Sequence, residues 1–112
     1  MTLNPEKAAL RKHLLEKRDS TSFDLMGIHS EKILSKLMKT KVISEAESIA
    51  CYYSIGSEVQ TVELIARLLE RKKSVSLPRI SSNSMSFRII DDLSKLNKGE
   101  FDIPEPKDNA PI

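Results

Sequence analysis

Residues 48–77 read SIACYYSIGSEVQTVELIARLLERKKSVSL, and their texture changes twice. Ser48-Ile49-Ala50-Cys51-Tyr52-Tyr53 is a short, mostly apolar run of the length expected for a strand buried on both faces. After the loop Ser54 to Gln60, Thr61 can cap a helix through Arg71 whose Leu64, Ile65, Leu68 and Leu69 form one apolar stripe. Ser74-Val75-Ser76-Leu77 then reads as a second strand. Strand, helix and strand within about 30 residues make a βαβ unit, which predicts two parallel strands joined by a right-handed crossover.

Upstream, Asn4-Pro5-Glu6 is a helix start, with Asn4 as N-cap and Pro5 at the first helical position, and the helix is expected to run to Arg18. Asp19-Ser20-Thr21-Ser22 breaks the pattern. Thr21, with Asp24 three residues later, is a capping-box-like start for a second helix to about Thr40, with Met26, Ile33 and Leu37 on one face. Downstream, Met85 to Ile90 alternates in its first half and reads as a third strand, followed by a short helical piece near Leu96 that Gly99 ends. The stretch from Phe101 to Pro111 holds three prolines and reads as an extended connector with no room for another strand. The expected class is α/β: N-terminal helices followed by a βαβ unit of a mainly parallel open sheet, an incomplete Rossmann-like three-layer fold.

Composition bounds the function. The chain has 112 residues, 39% hydrophobic and 30% charged, which suits one folded domain with a thin margin of stability. Its 18 basic and 16 acidic side chains are mixed along the sequence, and aromatics make up only 4%, which disfavours a nucleic-acid partner. No apolar run reaches the roughly 18–20 residues of a membrane span, and the charged N-terminus lacks a signal peptide's apolar run, so a soluble cytoplasmic protein with no membrane partner is expected. Cys51 is the single cysteine and is read as a small core residue. His13 and His29 have no second metal-type ligand at a recognisable spacing, and no metal ligand is assigned.

Two constellations could carry chemistry. Lys7, Arg11 and Arg18 fall within about 40° of one another on the first helix, flanked by Leu14 and Leu15. That stripe either covers apolar surface with aliphatic stems while its charges reach water, or binds phosphate. The second constellation follows from topology, because open parallel sheets bind ligands outside the carboxyl ends of their strands. Two loops qualify there: Ser54 to Thr61, carrying Glu58, and Pro78-Arg79-Ile80, which makes Arg79 a candidate phosphate or substrate contact. A lone loop acid such as Glu58 is more often a solvated surface charge than a functional one, and Arg79 reads the same way. The sequence contains no GxGxxG motif, no Walker loop and no nucleophile signature, and the catalytic residue stays unassigned.

In order, Lys7-Ala8-Ala9-Leu10-Arg11, Ile49-Ala50-Cys51-Tyr52-Tyr53, Glu58-Val59-Gln60-Thr61, Val75-Ser76-Leu77-Pro78-Arg79, Met85-Ser86-Phe87 and Gly99-Glu100-Phe101-Asp102-Ile103-Pro104-Glu105-Pro106 resemble the 5-formyltetrahydrofolate cyclo-ligase family. The resemblance implies an ATP-dependent, magnesium-requiring ligase of one-carbon folate metabolism that converts 5-formyltetrahydrofolate to 5,10-methenyltetrahydrofolate, releasing ADP and phosphate. It implies ATP contacts at Lys7 and Arg11 and folate contacts at Glu58 and Tyr53. The family's second half carries a Gly-rich loop ending Tyr-Tyr-Asp and metal-binding acids, neither of which is found in this sequence. Residues 1–106 are therefore expected to be the N-terminal part of a cyclo-ligase-like domain, with 107–112 an extended tail. Turnover is expected to need the C-terminal half or a second chain that supplies it. The alternative is a non-catalytic nucleotide- or folate-binding module derived from the same family.

Overall fold

A computed structural model describes residues 4–99, 103–107 and 110–112. Three helices come first: α1 (Pro5–Asp19), α2 (Phe23–Met38) and α3 (Lys41–Glu45). Asn4 caps α1, its side chain accepting from Glu6 N and Lys7 N, and Pro5 opens the helix as its missing N–H allows. Ser22, not Thr21, caps α2 by accepting from Leu25 N. Thr40 ends α2 and starts α3, which the sequence pattern does not reveal: its hydroxyl donates to Leu37 O and accepts from Ile43 N.

The βαβ unit follows as β1 (Ser48–Ala50), α4 (Val62–Glu70) and β2 (Ser74–Ser81), and β3 (Ser84–Ile90) completes a sheet of order β1-β2-β3. β1 and β2 run parallel, with Ser48 opposite Ser74 and Ala50 opposite Ser76. β3 returns antiparallel from a tight turn in which Ser82 takes a φ of 53°, so the sheet is mixed. The helix end before β2 is a Schellman motif: Lys73 N donates to Leu68 O and Lys72 N to Leu69 O, with Lys72 at φ 61° in the left-handed region.

The core lies on one face of this sheet. Val75, Leu77 and Ile90 point to the same side and pack with Ile65 and Leu68 of α4 and Leu34 and Met38 of α2. The α4 stripe is as its periodicity predicts. On α2 the buried face is Ser30, Leu34 and Met38, whereas Ile33 of the expected face is 46% exposed. Arg67 joins the two helices, with Nε 3.2 Å from Glu63 on its own helix and a terminal nitrogen 3.3 Å from Glu31 on α2.

Further expectations are corrected. The paired part of β1 ends at Ala50 rather than Tyr53, and β2 runs on to Ser81, so Pro78-Arg79-Ile80 is strand and not a loop. Pro78 is tolerated because β1 pairs no further along β2 than Ser76, leaving only β3 beside Pro78, opposite Phe87. The C-terminal segment is also more than a connector: after a 3-10 turn at Leu93–Lys95, β4 (Asn97–Lys98) pairs antiparallel with β5 (Pro104–Glu105). Gly99 lies beyond that turn, its N–H donating to Ile103 O. A Cβ on Gly99 would run into the Glu105 side chain, which is buried and accepts from Ile80 N. Beyond β5, Pro111 O accepts from Ile89 N and Ala110 O from the Arg88 guanidinium, so the described tail lies along the outer edge of β3. Phe101, Asp102, Asp108 and Asn109 of the expected connector lie outside the described residues.

Candidate functional site at the carboxyl end of the first strand

The backbone leaving β1 turns back on itself, and short-range polar bonds set the course of the loop from Ser54 to Thr61. Gly56, at φ 54°, permits the tight turn. Ser54 and Thr61 close the loop reciprocally: Ser54 N donates to Thr61 Oγ1 at 3.0 Å and Thr61 N to Ser54 Oγ at 3.1 Å. Thr61 Oγ1 also donates to Tyr52 O at 2.8 Å. Thr61 thus stands at the N-cap of α4 without using its side chain as a cap. Gln60 N donates to the buried Ser30 Oγ at 2.9 Å, which fixes the loop to α2.

Glu58 is half-buried in this loop, and its Oε1 accepts from Ile55 N at 2.8 Å while Glu58 N donates to Ile55 O at 3.1 Å. The carboxylate therefore braces its own turn through one oxygen. Tyr52 donates its hydroxyl to Val59 O at 2.8 Å. Burial pushes the Tyr52 phenol above its ordinary pKa, with the Glu58 carboxylate and Cys51 adding to the rise and Arg18 opposing it. Tyr53 points to the other side, where with Ser54, Gly56, Gln60, Val62 and Glu63 it lines a cleft of ≈ 430 Å³. Glu63, at the start of α4, is an acid at this cleft that the sequence reading did not single out.

The stripe on α1 is present as expected. Lys7, Arg11 and Arg18 line a shallow groove of ≈ 380 Å³ with Leu10, Leu14 and Leu15. No side chain of α1 is buried. The groove and the Tyr53 cleft are separate, and Ser57 fastens α1 to the loop: Arg18 Nε donates to Ser57 Oγ at 2.8 Å, and Ser57 Oγ donates to Asp19. Arg79 lies away from both, half-buried, with its guanidinium donating to Pro106 O at 3.1 Å. The structure thus brings Tyr53 and Glu58 to one loop, Lys7 and Arg11 to one helix face, and Arg79 to neither.

A further cavity of ≈ 420 Å³ between α2 and α4 is lined mainly by Leu34, Leu37, Ile43, Cys51 and Leu64, and its Ser30 and Thr61 hydroxyls are committed to the bonds above. Burial raises the Cys51 thiol pKa, with the hydrogen bond to Tyr52 O opposing, which suits an inert packing role. Among the described residues no three His, Cys, Asp or Glu side chains gather to hold a metal, and no helix is long and apolar enough to cross a membrane.

Helices ahead of a parallel βαβ unit, with a polar-braced loop at the carboxyl end of the first strand, define an α/β protein of the kind that binds ligands at that edge. The chain belongs to the 5-formyltetrahydrofolate cyclo-ligase family, whose model matches residues 3–111. The family is one of ligases that use folate and ATP. Among solved structures, the 5,10-methenyltetrahydrofolate synthetase of Aquifex aeolicus is similar, with 29% identity and a TM-score of 0.85 over 95% of this chain. The chain spans 54% of that synthetase. No curated protein matches it significantly.

Proposed function

We propose that this chain is the ATP- and folate-contacting part of a cytoplasmic enzyme that converts 5-formyltetrahydrofolate to 5,10-methenyltetrahydrofolate with release of ADP and phosphate, working once the rest of the fold is supplied. The family match over residues 3–111 carries this reading. In the reaction the formyl oxygen takes the γ-phosphoryl group and ADP leaves. N10 then adds to the formyl carbon and loses its proton, and phosphate departs with the former formyl oxygen.

On this reading Lys7 and Arg11 hold ATP phosphates, for which Lys offers a point charge and Arg a fork. Their leucine neighbours keep the stripe at the border of an apolar surface, where charge is less screened than in open water. Glu58 and Tyr53 contact the folate: the Glu58 carboxylate has a second oxygen to accept from ring N–H groups, and Tyr53 offers an aromatic wall to the cleft beside it. Arg79, bound to Pro106 O, would contact phosphate or substrate only if the tail segment moved. Magnesium would supply charge neutralisation in phosphoryl transfer, and on this reading its protein ligands are the acids of the family's second half.

The test combines this chain with the part of the Aquifex synthetase that it does not match, and follows methenyl-product absorbance from 5-formyltetrahydrofolate and Mg-ATP. Product should form in the mixture and not with either piece alone. Glu58→Gln should weaken folate binding by about 1.5–3 kcal/mol with ATP binding unchanged, and Lys7→Ala or Arg11→Ala should do the reverse. A stable mixture that makes no product would count against the reaction, and unchanged folate affinity in Glu58→Gln would remove Glu58 from the site.

A further inference from the structure

The sheet has two apolar faces and the described helices cover one. The register separates them: Val75, Leu77 and Ile90 face α4 and α2, and the residues between them face the other way. On that other side Ser76 stands between Ala50 and Ile89, Pro78 is opposite Phe87, and Ile80 is opposite Met85. Met85 is 60% exposed, Phe87 40% and Ile89 36%, and Tyr52 at 42% continues the patch beyond β1. A shallow hollow of ≈ 260 Å³ lies among Ala50, Tyr52, Pro78, Met85 and Phe87.

An antiparallel sheet that meets water on one face alternates apolar and polar residues, whereas a sheet covered on both faces is apolar throughout. Here the half of the open face toward the β2–β3 turn carries alanine, proline, isoleucine, phenylalanine and methionine beside Ser76, and the polar pair Ser48 and Ser74 lies at the other end. A contiguous patch of this kind marks a surface that another polypeptide covers.

Length identifies the occupant. This chain superposes almost entirely on 54% of the Aquifex synthetase, so a little under half of that protein has no counterpart in the matched part. β1 lies at the end of the sheet order, and residues 110–112 of the tail run along the opposite edge, at β3, while Glu105 of β5 bonds Ile80 N of β2. Added structure thus meets an open edge at β1 next to an open apolar face.

We propose that the face formed by Ala50, Tyr52, Pro78, Met85, Phe87 and Ile89 docks the polypeptide equivalent to the portion of the related synthetase that this chain does not match. The inference rests on the cyclo-ligase reading and adds where the completing piece binds. It is the sheet face, and not the α3 side of the molecule, that decides whether assembly occurs.

The test mixes the 112-residue chain with the separately produced unmatched portion of the Aquifex synthetase, without ATP or folate, and reads stoichiometry by light scattering and affinity by titration. A one-to-one complex is expected. Phe87→Asp should weaken it by at least about tenfold, and so should Met85→Lys, which keeps the test informative if the first variant does not fold. Val42→Asp, at a 78% exposed position on α3, should leave it unchanged. The proposal is overturned if no complex forms with both partners at about 50 μM, or if folded sheet-face variants bind as the wild type does. A wild-type homodimer dissolved by Phe87→Asp would also overturn it, by assigning the face to a second copy. Because no substrate is present, failure to bind refutes the docking, whereas a stable complex without product refutes only the reaction.

Discussion

Replacing Thr61 by Val removes one hydroxyl and almost no volume, and the structure says what that hydroxyl does. Thr61 Oγ1 accepts from Ser54 N and donates to Tyr52 O, and the residue is only 4% exposed, so water cannot readily take its place. Each buried backbone group left without a partner costs about 1–3 kcal/mol, so the two together should lower unfolding free energy by about 2–6 kcal/mol. For a domain of this size that corresponds to a fall in Tm of roughly 8–24 °C. Urea unfolding followed by far-UV circular dichroism measures it, with Thr61→Ser as the control that keeps the hydroxyl. Thr61→Asn separates two accounts. If Thr61 acted as a helix cap, Asn would restore stability, because Asn caps at least as well as Thr. If Thr61 cross-links the loop, Asn should not rescue. A Thr61→Val loss under about 0.5 kcal/mol, or full rescue by Asn, would refute the cross-link and with it the account of how the Glu58 loop is held.

Leu68→Ala, at a fully buried position of α4, should cost about 2–5 kcal/mol in the same assay, a large part of the total for a domain of this size. Lys72→Gly should stabilise by about 0.5–1 kcal/mol, because Lys72 occupies the left-handed region at the end of α4 and glycine does so without steric cost. Tyr52 gives an alkaline signature: its folded pKa is raised, so the stability tied to its protonated form is present below its unfolded pKa near 10 and is lost as pH rises through the higher folded value. Tyr52→Phe should flatten that part of the stability profile, and an unchanged slope would show that another group titrates there.

The βαβ unit was legible because α4 carries an apolar stripe of period 3.6 between two apolar runs, and Ile65 and Leu68 lie where that stripe puts them. The end of β1 was not. Cys51 to Tyr53 has strand-like composition, but ladder pairing with β2 stops at Ala50, and Tyr52 O is satisfied by a threonine hydroxyl nine residues away. The continuation of β2 was hidden by Pro78, which reads as a breaker unless β1 is known to stop short of it. The β4–β5 pair was hidden for a similar reason, since its closure depends on Gly99 making room for Glu105. Of the candidate site, the α1 stripe could be read from spacing alone. The role of Glu58 in bracing its own turn could not, because a bond to a backbone N–H three residues earlier leaves no trace in composition.

The fastening of α1 at Ser57 has a mechanical consequence. The helix is tied at its C-terminal end by Arg18 and Asp19, while Leu10 and Leu14 are more than half exposed. At 1.5 Å per residue Lys7 stands about 16 Å up the axis from Arg18, so a tilt of only 10° at the fastening swings Lys7 by roughly 3 Å. That is several times the ~0.5 Å tolerance within which a binding constellation works. Among the described residues the bonds to Ser57 fasten α1 at that end, and a lever so held can attract an anion without positioning it. The phosphate-binding role proposed for Lys7 and Arg11 therefore needs a second fulcrum under the leucines, and the natural sequence of events is assembly first and nucleotide afterwards.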